Sequence, residues 1–372
     1  MDGAFLDHAA SSPLRPVALE AMVGCAGLSN PASLHRKGRL ARASLEDARE
    51  KIANLFGAKP DEVIFTSGGS ESDTIAVLGA SAMQETSRPE LVISPIEHQA
   101  VEKSSEVLGA RLRKARVNSE GVVDLESLQL NEKTGLVSVM WANNEVGSIQ
   151  PIDQIVASAK EAGSLVHCDA VQAAGHFPID FDKSGIDLLS ISAHKMGGPV
   201  GIGALIIKRG LNLPPWGLGG RQEGGIRSGT QPVALANGFA AAASEAVNAI
   251  DGEFERISNL RNQIIEKVNS TPGTRDNGDG SNPYVINIGV DGASADDLLF
   301  LFDQRGICIS TGSACRAGVH GPSEVLLAMG QNAQEASQAI RISMGWSTTE
   351  EEVRFFVAAF REVVETARSV QW

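Results

Sequence analysis

Lys195 closes the run Ser192-Ala193-His194-Lys195, directly after the apolar segment 188–191 and just ahead of Gly197 and Gly198. In open α/β sheets ligands collect outside the carboxyl ends of the strands. A partly desolvated lysine there can lose its proton and form a Schiff base with a carbonyl compound. The competing reading is a surface lysine after a strand. Asp169 ends another apolar segment, 165–168. A carboxylate in that position can keep a pyridine nitrogen protonated, which pyridoxal 5′-phosphate (PLP) needs if its ring is to accept electrons from a carbanion. The plainer role for such an aspartate is a helix cap. Gln172 projects from the same turn, in reach of the ring's phenolic oxygen.

Four further positions carry candidate chemistry. Thr66-Ser67-Gly68-Gly69-Ser70-Glu71-Ser72 leads from a strand into a helix; glycines and a hydroxyl at a helix start offer backbone N–H groups to a phosphate, although Ser70 is equally an N-cap candidate. His98, after the segment 91–94, is able to stack on a planar cofactor and move protons, or to cap a helix. Cys315 lies in Ser310-Thr311-Gly312-Ser313-Ala314-Cys315-Arg316-Ala317-Gly318, where small neighbours favour an accessible thiol and Arg316 favours its thiolate. Arg341 heads an apolar strand and suits a bidentate grip on a carboxylate, or a structural salt bridge.

The elements that must position these residues follow from hydrophobic pattern. Short apolar runs at 63–66, 91–94, 136–141, 165–168, 188–192 and 202–207 alternate with helical segments. One of those helices, over 152–162, is opened by Pro151 and closed by Gly163. Strands apolar almost throughout, separated by helices, predict a mostly parallel sheet covered on both faces. A Gly-rich stretch, 216–229, leads into a long helical region over 231–268, and the polar segment 271–282 marks a boundary. Beyond it the pattern predicts a strand at 285–290, a helix at 295–305, a short strand and loop through Cys315, a helix at 323–329, a strand at 341–344 and a last helix from Thr349. That order suits a smaller α+β unit. Cys308 alternates with Ile307 and Ile309 and is expected to be a buried strand residue.

Bulk composition sets the outer limits. At 372 residues two domains are the natural prior, and 42% hydrophobic with 21% charged residues suits a folded protein with a large core. A net charge of -13 argues against a general grip on nucleic acid or anionic lipid. The basic cluster Arg111, Arg113, Lys114 and Arg116 is expected to be a solvated surface. The first residues lack the basic and apolar regions of a signal peptide, and no apolar run reaches the roughly 20 residues of a membrane span; the Ala-rich stretch 234–249 reads as a buried helix. A cytoplasmic protein is therefore expected. The four cysteines show no Cys-x-x-Cys pair, so neither a metal site nor a disulfide framework is expected.

Taken in order, these motifs resemble the NifS/IscS-like cysteine desulfurases, in the class V aminotransferase group of fold-type I PLP enzymes. The resemblance runs nearly the whole chain. It starts at Leu6-Asp7-His8-Ala9-Ala10 and passes through Asn30-Pro31-Ala32-Ser33, 65–72, Glu97-His98 and Asn143-Asn144-Glu145-Val146-Gly147. It continues through His167-Cys168-Asp169-Ala170-Val171-Gln172, 192–195 and Arg227-Ser228-Gly229-Thr230, and closes with 310–315 and Arg341. It implies a large PLP-binding α/β domain over 15–255 built on a mostly parallel seven-stranded sheet. A small α+β domain would comprise 1–14 and 256–372 and carry the Cys315 loop.

Residue by residue, the resemblance implies that Lys195 holds PLP and shuttles the substrate α-proton. Asp169 would pair with the pyridine nitrogen, Gln172 would contact the phenolic oxygen and His98 would stack on the ring. Gly69, Ser70, Ser192 and His194 would hold the phosphate, and Thr230 would reach the phosphate in a partner subunit, implying a homodimer with shared active sites. Arg341 and Asn144 would bind the substrate carboxylate, with Asn144 also near the cofactor. Cys315 would take sulfur from L-cysteine as a persulfide, leaving L-alanine, and pass it to an acceptor such as an iron–sulfur scaffold or a tRNA-thiolation enzyme. The sequence departs from its relatives at Ser70, where most have Thr, at Val171, where Thr is common, at Arg316, and in the Gly-rich stretch 219–225. Three other readings stay open on sequence: a related β- or γ-lyase or aminotransferase with no use for Cys315, a selenocysteine lyase, and a non-catalytic scaffold.

Overall fold

The structure, a computed structural model, describes residues 3–84, 86–311 and 321–369. Cys315 and Arg316 lie outside the described residues.

In chain order the strands are β1 (Ala4–Phe5), β2 (Val63–Thr66), β3 (Glu90–Ile93), β4 (Leu112–Lys114), β5 (Thr134–Ser138), β6 (Leu165–Asp169), β7 (Leu188–Ser192), β8 (Gly203–Ile207), β9 (Thr274–Asp276), β10 (Val285–Val290), β11 (Ile307–Cys308) and β12 (Ala339–Ser343). Seven of them form one sheet in the order β2-β8-β7-β6-β5-β3-β4. β4, β3, β5, β6 and β7 run parallel, and β8 is antiparallel to both of its neighbours. This is the mostly parallel seven-stranded α/β sheet that the family resemblance implies.

The sheet is buried on both faces because its strands carry apolar side chains at successive positions. Val63, Phe65, Val92, Leu189 and Ile191 enter one core, whereas Ile64, Leu91, Ile93, Leu188 and Leu205 enter the core on the opposite face. The helix Ile152–Ala162 starts after Pro151 and ends at Gly163, whose left-handed φ of 71° suits a residue without a β-carbon. A third core joins Leu6 to Ile286, Ile340, Phe302, Phe356 and Phe360. It lies against the antiparallel sheet β12-β10-β9 and the parallel pair β1–β11. Phe302 stacks on Phe356 at 5.3 Å between ring centroids.

Several expectations change. Cys308 is a strand residue but an exposed one, since alternation sends Ile307 and Ile309 inward and leaves the thiol outside. The helical region 231–268 is two helices, Val233–Asn248 and Ile250–Asn269, bent by 70°. The basic cluster holds the edge strand β4, where Arg113 pairs with Glu90 and Lys114 with Glu102. The polar segment after 271 contains β9, paired with β10. No single helix among the described residues is long and apolar enough to cross a membrane; the bent pair passes on length and composition, but the Ala-rich helix buries Ala236, Phe239, Ala243 and Ala246 inside the fold.

Candidate active site

A cleft of about 310 Å³ opens beyond the carboxyl ends of β2, β3, β5, β6 and β7. Nine predicted residues line it: Gly69, Ser70, His98, Asn144, Asp169, Gln172, His194, Lys195 and Arg341. Each sits just after a strand, at a strand's last residue or, for Arg341, within β12. The parallel sheet thus gathers residues far apart in sequence at one end.

Lys195 is half-buried in the short turn that follows β7. Its Nζ donates to the carbonyl of Ala10 at 2.9 Å and to that of Ala9. Gln172 Nε2 donates to the same Ala9 carbonyl at 2.9 Å, which leaves its second N–H for another acceptor. Residues 9 and 10 are held in turn by β12, where Ala9 N donates to Ser343 Oγ at 2.8 Å.

Asp169 ends β6, and its Oδ1 accepts the Val171 N–H at 2.9 Å. Burial raises its pKa above the ordinary carboxylate range, while the positive fields of His98 and Lys195 and the Val171 N–H pull the other way. Two more buried carboxyls lie near. Burial and the Asp169 charge push Asp73 well up, and burial does the same to Glu97 even though Glu97 accepts the Met140 N–H at 2.8 Å. Beneath them His167 bridges Ser138 Oγ at 2.8 Å and Ser190 Oγ at 3.0 Å, and burial lowers its pKa to about 3. The floor of the cleft is therefore rich in carboxyl groups that a cationic ring nitrogen would stabilise.

His98 both lines the cleft and caps a helix: its Nδ1 accepts the Ala100 N–H at 3.1 Å at the start of Gln99–Glu106. The two readings of that histidine thus hold together. At the other end of the cleft the helix Gly69–Gln84 begins at Gly69, so Ser70 is inside the first turn rather than the cap. A β-carbon at Gly69 would meet Val171 Cγ2 at 2.7 Å, so the helix start approaches the Asp169 turn as only glycine allows. Ser192, the last residue of β7, is buried, and its Oγ has no hydrogen-bond partner among the described residues. His194 Nδ1 lies 3.3 Å from Ser11 Oγ, and burial with the Lys195 charge lowers its pKa to about 4.

Arg341 is 2% exposed. It donates through Nη1 to the Asn144 carbonyl at 3.0 Å and through Nη2 to Asp7 at 2.8 Å, while Nε has no hydrogen-bond partner among the described residues. A structural ion pair and an open donor coexist in one side chain.

Thr230 is exposed, and neither it nor the buried Ser192 is among the residues that line the cleft. The cleft also uses Ala9, Ala10, Asp73, Met140 and Ala142, to which the sequence reading gave no role in the site. A buried ion pair outside the cleft was also not anticipated. Arg49 holds Glu223 through two bonds of 2.7 and 2.8 Å, and Glu223 accepts the Phe65 N–H, which ties the Gly-rich stretch to β2.

The seven-stranded sheet carries a lysine and an aspartate at the carboxyl ends of its strands, with an arginine from β12 across the cleft, and the chain matches the class-V aminotransferase family over residues 4–356. It belongs to that family and, within it, to the IscS-like cysteine desulfurases. It is 42% identical to an IscS-like cysteine desulfurase of Mycobacterium tuberculosis, the match covering 98% of this chain and 97% of that one. It is 39% identical to a cysteine desulfurase IscS of Dictyoglomus turgidum, covering 98% and 95%. Among solved structures, a NifS-like protein superposes with a TM-score of 0.92 at 34% identity, covering 98% of this chain and 100% of that one. SspA in complex with cysteine gives 0.81 at 31% identity, covering 92% and 98%.

Proposed function

We propose that this protein is a PLP-dependent cysteine desulfurase that converts L-cysteine to L-alanine and collects the sulfur on Cys315. The observation that carries the proposal is the cleft itself, where Lys195, Asp169, His98 and Arg341 meet. These residues fit PLP. The partnerless Ser192 hydroxyl and the open helix start at Gly69 suit a phosphate. The raised pKa of buried Asp169 suits a carboxylate waiting for a cationic nitrogen. In this reading His98 would cover the ring, Gln172 and Asn144 would meet its polar edge, and Ser70 and His194 would join the phosphate site; all five line the cleft.

When bound, PLP supplies an electron sink for a carbanion at the substrate's α-carbon. Lys195, whose Nζ is held at the Ala9 and Ala10 carbonyls, would anchor the cofactor's aldehyde and would carry the substrate's α-proton. Arg341, with Asn144 alongside, orients the substrate carboxylate. The Cys315 thiolate attacks the substrate sulfur, the carbon–sulfur bond breaks, and its electron pair stays with carbon, which is then protonated to alanine. Ser310, five residues before Cys315, exchanges backbone hydrogen bonds with Arg341 at 3.1 and 2.7 Å, so the sulfur-bearing segment starts beside the carboxylate clamp.

The reading extends to assembly. The exposed Thr230 is assigned to the phosphate site of a second copy in a homodimer, and exposed Val23, Leu34 and Leu218 supply apolar surface for the contact. We divide the chain into a large unit, 15–255, and a small unit, 1–14 with 256–372; the separate cores support that division. The persulfide would go to an acceptor protein such as an iron–sulfur scaffold or a tRNA-thiolation enzyme, in the cytoplasm. The test is Cys315→Ser: alanine release should stop while the cofactor's visible absorbance persists. Undiminished turnover would favour a lyase that does not use this thiol.

A further inference from the structure

Glu145 is a buried carboxyl beside the carboxylate clamp that the mechanism above does not use. It is 5% exposed and sits in a turn pinned by Asn143, whose Oδ1 accepts the N–H groups of Glu145 and Val146, both at 2.9 Å. The residue between them, Asn144, gives its carbonyl to Arg341 Nη1 at 3.0 Å. Arg341 spends its other Nη on Asp7 and makes no hydrogen bond to Glu145 among the described residues. The Glu145 carboxyl is hydrogen-bonded by Ser323, whose Oγ already accepts the Leu326 N–H at 3.1 Å and so has its proton to give. Glu145 Oε1 is buried with no hydrogen-bond partner among the described residues. A carboxylate with one bond and one bare buried oxygen is a place where a proton is welcome.

We propose that Glu145 is a proton-linked positioning residue, which takes up a proton when a substrate carboxylate docks on Arg341. The inference rests on the reading that Arg341 receives that carboxylate. Among the described residues, the charged groups facing this region are Arg341 from β12 and, across the guanidinium, Asp7 from the N-terminal segment. Asn143, Asn287 and Ser323 on the remaining sides are neutral. Burial raises the Glu145 pKa to about 7, held there by the Ser323 bond and the Arg341 charge. A second anion on Arg341 neutralises the one cation that favours ionised Glu145, so its proton affinity rises further on binding. By linkage, binding is strongest where Glu145 is already protonated and weakens as pH climbs through 7, because the complex must then acquire a proton.

The probe is 3-mercaptopropionate, which has the substrate's carboxylate and thiol but no amine to react with the cofactor. Its inhibition constant against the holoenzyme should weaken about tenfold between pH 6.5 and 8.5. The Glu145→Gln enzyme should show a shallower slope, and wild type should take up protons from weakly buffered solution on binding at pH 7.5. A slope unchanged by Glu145→Gln overturns the inference, and so does binding without proton uptake in wild type, a measurement that does not depend on the variant folding. Arg341→Gln tests the underlying reading separately. Undiminished binding of the probe there would remove the clamp, whereas weakened binding there with a flat wild-type profile would overturn the role of Glu145 alone.

Discussion

Gly69 and Val171 touch so closely that a β-carbon on the first would lie 2.7 Å from Cγ2 of the second. The contact packs the start of the helix Gly69–Gln84, the proposed phosphate site, against the turn whose Val171 N–H holds Asp169 at 2.9 Å.

Gly69→Ala should therefore disturb two functions together. Overpacking of this kind costs about 1–3 kcal/mol, visible as a lower midpoint in thermal unfolding and as weaker retention of PLP. Val171→Ala removes the obstructing methyl, so the double variant should recover most of both losses. Such a recovery is the non-additivity of two residues in contact, and losses that simply add would show that the two sites are independent.

Ser192→Ala separates folding from binding. The hydroxyl is buried without a partner, so removing it should leave the stability of the cofactor-free protein unchanged or slightly raised. If that hydroxyl serves the phosphate, the same change removes a charge-assisted bond of about 1.5–3 kcal/mol, a fall in PLP affinity of roughly 10- to 100-fold. Urea unfolding of the apoprotein and PLP titration give the two numbers.

His8 makes a pH prediction with a definite sign. It is 4% exposed, lies between Ser12 and Thr348, and has its pKa lowered to about 3 by burial and by the nearby His176, Arg256 and Arg15. The unfolded chain binds a proton at this residue below about pH 6.5 and the folded one does not. The stabilisation is therefore full above pH 6.5 and is lost as pH falls toward 3. At pH 5 the loss is about 2 kcal/mol relative to neutral pH. A His8→Asn variant has no such loss, so its deficit against wild type in urea unfolding should narrow by that amount between pH 7 and pH 5.

The sequence made most of this fold legible because the central strands are buried on both faces. Continuous apolar runs at 63–66 and 188–192, and a helix bracketed by Pro151 and Gly163, carry their own boundaries. Edge strands do not. β4 is basic because its side chains meet Glu90 and Glu102, and β9 lies in a polar segment that looks like a turn. Cys308 shows the limit of a period-two pattern, which locates a strand without saying which face is wet. Within the cleft, side chains with chemistry of their own could be named in advance. The carbonyls of Ala9 and Ala10 could not, since their role depends on the N-terminal segment crossing to Lys195. The same holds for Asp73 and Glu145, whose altered proton affinities come from burial that only the assembled fold creates.

The most direct test is mass spectrometry of the holoenzyme after brief incubation with L-cysteine, with the peptide containing residue 315 analysed without reductant. A sulfur-transferring enzyme should carry one additional sulfur atom on Cys315, lost on treatment with dithiothreitol and never formed in Lys195→Ala. Alanine accumulating while Cys315 stays an unmodified thiol would contradict the account.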